Sequence, residues 1–181
     1  TLLMVTTVQS RNFASMIEAR VALEAVSKEN EKLANRDALT GLANRRQFFT
    51  HLDYEFAEAE RTNRRLIVGI IDLDGFKPIN DLYGHAMGDN LLTQVGERLS
   101  DLADHQISIS RLGGDEFALI VNKDLSDEKL LELGREICGL LNMPFTLPEA
   151  SVQISGSIGF AVYPDLASSC NELYELSLIH I

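Results

Sequence analysis

Two apolar, β-prone runs meet at a glycine pair, and no other feature limits the fold of this chain as strongly. Ile107 and Ile109 alternate with Ser108 and Ser110 on the way in, and Phe117-Ala118-Leu119-Ile120-Val121 leads away. Between them stands Arg111-Leu112-Gly113-Gly114-Asp115-Glu116. Strands separated by Gly-Gly predict a tight hairpin, because that turn needs positive φ and glycine adopts it without strain. The next two residues are less ordinary. Asp115 and Glu116 put two acids at the mouth of a strand that otherwise reads as buried. On the hairpin alone they fit a solvated tip as well as they fit a chemical site.

A second pair of acids closes a second strand. Leu66-Ile67-Val68-Gly69-Ile70-Ile71 is the near-continuous apolar run of a buried central strand, and it ends in Asp72-Leu73-Asp74. Side chains alternate along a strand, so Asp72 and Asp74 face the same side. Carboxylates placed this way repel unless solvent or a cation separates them. Magnesium sites typically take one or two carboxylates and complete their shell with substrate phosphates.

Helical patterns surround these strands. Residues 45–63 carry Phe48, Phe49, Leu52, Phe56 and Ala59 on one face, with Asn44 as the predicted N-cap and Gly41 as a C-cap for the helix before. Residues 76–83 read as a loop and short helix closed by Gly84. Asp89 is the expected cap of a helix whose inner face is Leu91, Leu92, Val95, Leu99 and Leu102. Ser126 or Asp127 starts another, with Leu130, Leu131, Leu133, Ile137 and Leu140 inside. Pro144 and Pro148 bracket a short edge segment, and residues 151–162 read as one strand. The order βα, hairpin, α, β predicts an α/β fold with a mainly antiparallel central sheet covered by helices.

Residues 11–36 contain no Pro or Gly and read as one helix. Met16, Leu23 and Asn30 are seven apart, as are Ala19, Val26 and Leu33, which gives an a/d heptad seam with an asparagine at an a position. That pattern suits a parallel dimeric stalk, and it also suits an amphipathic helix packed on its own domain. The sequence begins at Thr1 and reads as a fragment. The apolar run within residues 1–8 is far short of the roughly 20 residues that a membrane span needs.

The net charge of −11 argues against nonspecific nucleic-acid binding, which depends on Lys and Arg at phosphates. A polyanionic nucleotide would need a metal and local basic groups here. Cys138 and Cys170 lack CxxC spacing and read as ordinary thiols of a reducing compartment.

Three blocks together resemble the GGDEF family, the diguanylate cyclases, from Asp37 to about Leu176. They are the hairpin string from Arg111 to Phe117, the stretch Asp37-Ala38-Leu39-Thr40-Gly41-Leu42-Ala43-Asn44-Arg45-Arg46, and Asp72 to Asp81 running on to Gly84-His85-Ala86-Met87-Gly88-Asp89. Their order and spacing are those of the family. The resemblance implies a palm-like nucleotide cyclase sheet over residues 37–181, preceded by a helical stalk over residues 1–36. It implies a homodimer in which each subunit holds one GTP, and the 3′-hydroxyl of one GTP attacks the α-phosphate of the other to give cyclic di-GMP and two pyrophosphates.

Carried over residue by residue, Asp72, the Leu73 carbonyl and Asp115 are implied to bind Mg²⁺ or Mn²⁺, and Asp115 or Glu116 to take the hydroxyl proton. Gly113 and Gly114 admit the nucleotide close to the backbone. Gly75 and Phe76 meet phosphate through N–H groups, and Lys77 neutralises charge there. Asn80 and Asp89 recognise guanine with His85 close by. A catalytically weak GTP-binding or dimerisation module is the alternative reading. The setting it implies is a cytoplasmic domain of a parent protein anchored in the bacterial inner membrane.

Two departures from the family pattern carry expectations of their own. The positions of its Arg-x-x-Asp product-binding motif are Asp104, His105, Gln106 and Ile107, so strong product inhibition through that site is not expected. Residues from Asn171 to Leu176 resemble the start of the family's closing helix, which the family continues with a Lys and a following Arg that reach phosphate. Here Ser177-Leu178-Ile179-His180-Ile181 follows instead, so the domain reads as C-terminally truncated and as weakly active or inactive.

Overall fold

The apolar run from Leu66 forms an interior strand of the main sheet, paired on both sides. Leu66, Ile67, Val68, Ile70 and Ile71 are each no more than 1% exposed, and burying side chains of this size contributes about 1.5–3 kcal/mol apiece. The computed structural model describes Met16, residues 20–24 and residues 34–178. The chain divides into two units, Thr1–Asn35 and Arg36–Ile181. In the first, Met16 and residues 20–24 are helical, with Met16 and Leu23 exposed. The seam positions Ala19, Val26, Asn30 and Leu33 lie outside the described residues.

The second unit runs β1 (Ala43–Asn44), α1 (Arg45–Thr62), β2 (Leu66–Asp74), α2 (Phe76–Tyr83), α3 (His85–Ser100), β3 (Ile107–Gly113), β4 (Glu116–Val121), α4 (Asp127–Asn142), β5 (Phe145–Thr146), β6 (Ser151–Val152), β7 (Ser155–Tyr163) and α5 (Cys170–Ser177). Its main sheet has the order β1-β3-β4-β2-β7. Every pairing in it is antiparallel except β1 with β3. The result is the expected α/β architecture.

Alternation along the strands divides the core between the two faces. Ile67, Ile71, Leu73, Phe117, Leu119 and Val121 pack with Leu91, Val95 and Leu99 of α3 and Ile137 and Leu141 of α4. Leu66, Val68, Ile70, Ala118 and Ile120 pack with Phe48 and Leu52 of α1 and Leu173 of α5. By the same alternation Asp72, Asp74 and Glu116 belong to the α1/α5 face. Glu55 of α1 is buried within that layer and is held by Arg64, His51 and Asn122. A buried carboxylate requires such partners, which an apolar pattern does not reveal.

The caps at Asn44 and Ser126 form as expected, their side chains accepting from the amides of Gln47 and Lys129. Other expectations need correction. Asp89 does not cap α3. Gly84, at φ 83°, ends α2 and starts α3 at once, so Asp89 falls in the second turn. Gly41 caps no helix; it sits at φ 72° in a turn, where its amide donates to the Asp37 carbonyl. The hairpin loop is Gly114-Asp115, one residue later than Gly-Gly suggests, because Gly113 still pairs with Glu116 and Leu112 forms a bulge. Residues 151–162 are two strands: β6 leaves to pair with β5 in a separate two-stranded sheet. On α4, Leu131 is exposed and Leu141 takes a core position instead. Cys138 and Cys170 are free thiols. Burial, with Asp53 beside it, pushes the Cys170 thiol up to about 12. Among the described residues, no helix is long and apolar enough to cross a membrane.

Candidate active site

The end of β2 and the tip of the β3–β4 hairpin are joined directly. The Leu73 amide donates to the Asp115 carbonyl at 3.3 Å, and Asp72 pairs in register with Glu116. On its other side Asp72 lies opposite Ser157 of β7. A row Glu116, Asp72, Ser157 therefore crosses three strands at one end of the sheet, with Asp115 in the turn above it. Asp72, Asp115 and Glu116 are half-buried, Leu73 is buried, and Gly113 and Gly114 are exposed at φ 138° and 55°. Those dihedrals suit glycine and let the tip fold back over β2.

The tip is braced from outside the hairpin. Arg111 donates through Nε and NH2 to the Gly114 carbonyl, at 3.2 and 2.8 Å. Through NH1 it reaches both carboxylate oxygens of Asp37, at 3.0 and 3.2 Å. Burial pushes the Asp37 carboxyl up. The amide and hydroxyl of Thr40 and the Arg111 guanidinium outweigh it and hold the group below the usual carboxylate range. Sequence reasoning did not single out Arg111 or Asp37 for this contact. They are 74 residues apart, and nothing local signals that they meet.

Beyond β2 the chain turns at Gly75, φ 86°, and enters α2. Phe76 is buried in the core, whereas the Lys77 side chain is exposed and forms no hydrogen bond or ion pair among the described residues. The first amides of α2 are unsatisfied by the helix itself and suit an anion. One turn on, Asn80 is half-buried, and its Oδ1 is buried with no hydrogen-bond partner. α3 passes so close that a Cβ on Gly88 would stand 1.9 Å from that oxygen. Asp89 follows Gly88 directly, with its side chain exposed, and His85 is exposed at the start of α3. The structure thus brings Asn80 and the Gly88-Asp89 step together, while Lys77 and His85 face solvent.

Among the described residues no three His, Cys, Asp or Glu side chains converge as a metal-holding group. The available donors are the two carboxylates of Asp72 and Asp115 and the Leu73 carbonyl. That set fits a hard cation such as Mg²⁺, which takes few carboxylates and relies on substrate phosphates and water for the rest.

Residues 34–177 match the sequence profile of the diguanylate cyclase GGDEF domain. The chain belongs to the GGDEF family. It is 38% identical over 165 residues to the bifunctional diguanylate cyclase/cyclic di-GMP phosphodiesterase MucR of Pseudomonas aeruginosa, covering 88% of this chain and 24% of MucR. The chain therefore spans about a quarter of that relative. The crystal structure of the GGDEF domain of YfiN (TpbB) from P. aeruginosa superposes with a TM-score of 0.74 at 33% identity, over 77% of this chain and 88% of that one. The coiled coil and GGDEF domain of DgcB from Caulobacter crescentus, solved in complex with c-di-GMP, gives a TM-score of 0.83 at 27% identity, over 94% and 90%.

Proposed function

We propose that this GGDEF domain is a diguanylate cyclase, condensing two GTP into cyclic di-GMP and two pyrophosphates with one GTP bound per subunit of a homodimer. The observation that carries this reading is the unpartnered, buried Oδ1 of Asn80 beside Gly88 and Asp89. An orphaned buried acceptor costs about 1–3 kcal/mol, and turning the amide outward onto a guanine base relieves that cost. Guanine presents N1–H and an exocyclic amino group on one edge. Asn80 accepts one donor and the Asp89 carboxylate accepts another. Adenine lacks this donor pair.

With the base there, the triphosphate runs toward the amides that open α2, where Gly75 and Phe76 admit it and Lys77 supplies a mobile positive charge. Asp72, Asp115 and the Leu73 carbonyl would hold Mg²⁺ or Mn²⁺, which when bound would offset negative charge on the phosphates. Asp115 or Glu116 takes the proton of the attacking 3′-hydroxyl. The Leu73–Asp115 hydrogen bond fixes these acids relative to β2, so alignment comes from the sheet itself. A dimer supplies the second GTP, whose α-phosphate faces the first nucleotide's hydroxyl.

The test is nucleotide binding by titration calorimetry. GTP is expected to bind at least about tenfold tighter than ATP, and inosine triphosphate, which lacks the exocyclic amino group, falls between them. Asn80→Ala is expected to weaken the preference and Asn80→Ala with Asp89→Ala to erase it. Equal affinity for GTP and ATP in the wild type would refute the assignment.

A further inference from the structure

Asp74 is the acid at the end of β2 that the proposed chemistry does not use. It lies two residues beyond Asp72 on the same face of the sheet, immediately before the Gly75 turn. Its Oδ2 accepts from Ser157 Oγ at 2.9 Å and from Ser155 Oγ at 3.4 Å. The register explains both contacts: Ser155 stands opposite Asp74, and Ser157 opposite Asp72. β7 lies on one side of β2, and β4 with the hairpin acids lies on the other. The two hydroxyls therefore draw the Asp74 carboxylate toward β7, away from the strand that carries Glu116. A shallow, open depression lies on this flank, lined by Asp74, Gly75, Asn142, Gln153, Ile154 and Ser155. Its lining contains no cation, and Asp74 has no ion-pair partner among the described residues.

We infer that Ser155 and Ser157 are positioning residues that hold the Asp74 carboxylate aside, so that a triphosphate at the Gly75 turn meets the α2 amides and Asp72 without a second fixed negative charge. This rests on the GTP reading above. A carboxylate released from β7 would repel the polyphosphate and compete with Asp72 for its cation. The hydroxyls remove that freedom at the cost of two neutral donors. Ser157 matters more, having the shorter bond and standing beside Asp72.

Valine and threonine are nearly isosteric and both suit a strand, so Ser157→Val and Ser157→Thr differ chiefly in the hydroxyl. Each is made with and without Asp74→Asn. The readout is the dissociation constant for Mn²⁺ with 3′-deoxy-GTP, which lacks the attacking hydroxyl and permits no turnover, alongside thermal melting. Ser157→Thr is expected to bind like the wild type and Ser157→Val about fivefold more weakly, the worth of one net hydrogen bond. Asp74→Asn is expected to abolish the difference between them, because the released group is then uncharged. Equal affinity of the Thr and Val variants would overturn the inference. So would a fivefold gap that persists with Asp74→Asn, since that outcome marks a purely structural hydroxyl. If Ser157→Val loses cooperative melting, Ser157→Ala takes its place with the same expected outcomes. Absence of saturable binding by the wild type would overturn the GTP reading and this inference with it. Wild-type binding with matched Thr and Val variants would overturn this one alone.

Discussion

Replacing Arg111 by methionine keeps most of its aliphatic stem and removes every polar contact it makes. The Arg111 and Asp37 side chains are 11% and 22% exposed, so solvent screens the pair only in part. Asp37 would retain the Thr40 amide and hydroxyl at 2.9 and 2.8 Å, so its carboxylate is not orphaned. The full penalty of about 3–5 kcal/mol for breaking a buried pair is therefore not reached. What disappears is a charge-assisted contact to Asp37 and the bonds to the Gly114 carbonyl, each worth about 1.5–3 kcal/mol at most. A net loss of about 3 kcal/mol is expected at pH 7, read by urea unfolding. The Asp37 carboxyl is held below its ordinary value in the folded state. Its contribution is complete above the unfolded pKa of about 3.9 and is lost as pH falls through the lower folded value. The gap between wild type and Arg111→Met should therefore narrow below about pH 4. A gap under about 0.5 kcal/mol at pH 7, or one that does not change with pH, would refute this reasoning.

Gly88→Ala places a methyl where Asn80 Oδ1 now stands, so GTP affinity should fall at least about tenfold with little change in circular dichroism; unaltered affinity would argue against base binding there. Arg98 donates to the carbonyls of Leu140 and Met143 and lies 3.6 Å from the centre of the Phe145 ring. Arg98→Ala should cost about 2–3 kcal/mol in urea unfolding without changing the nucleotide preference, and a loss below about 0.5 kcal/mol would contradict that. The exposed Asp104 carboxylate accepts from the amides of Gln106 and Ile107, and no arginine stands at its position. Cyclic di-GMP should therefore not inhibit strongly through residues 104–107, and inhibition relieved by mutating them would show otherwise.

The hairpin, the buried β2 run and the two caps were legible because each is fixed by neighbours in sequence. Alternation also placed Asp72 and Asp74 on one side correctly. The errors arose where distant contacts override local pattern. Asp89 looks like an N-cap, but Gly84 at positive φ lets α3 begin four residues before it, at His85. The Gly-Gly turn shifts by one residue because Leu112 bulges to reach the apolar layer with Phe48 and Leu52. The strand expected over residues 151–162 breaks because Val152 pairs with Phe145, forming a side hairpin that no periodicity signals. Within the site, the acids and the Asn80–Asp89 set were named by motif. The Arg111–Asp37 brace, the serines on Asp74 and the unpartnered buried acceptor on Asn80 required the tertiary structure.

The measurement that bears most directly on the proposed chemistry is product formation from GTP by the purified chain. Incubated with GTP and Mg²⁺ or Mn²⁺, the protein is expected to release cyclic di-GMP and pyrophosphate in a ratio of about one to two, as the condensation requires. Chelation should stop the reaction. Asp72→Ala and Asp115→Ala should each abolish it while leaving melting and circular dichroism nearly unchanged, because they remove ligands and not core. Cyclic di-GMP formed at the wild-type rate by either variant would contradict the cyclase assignment.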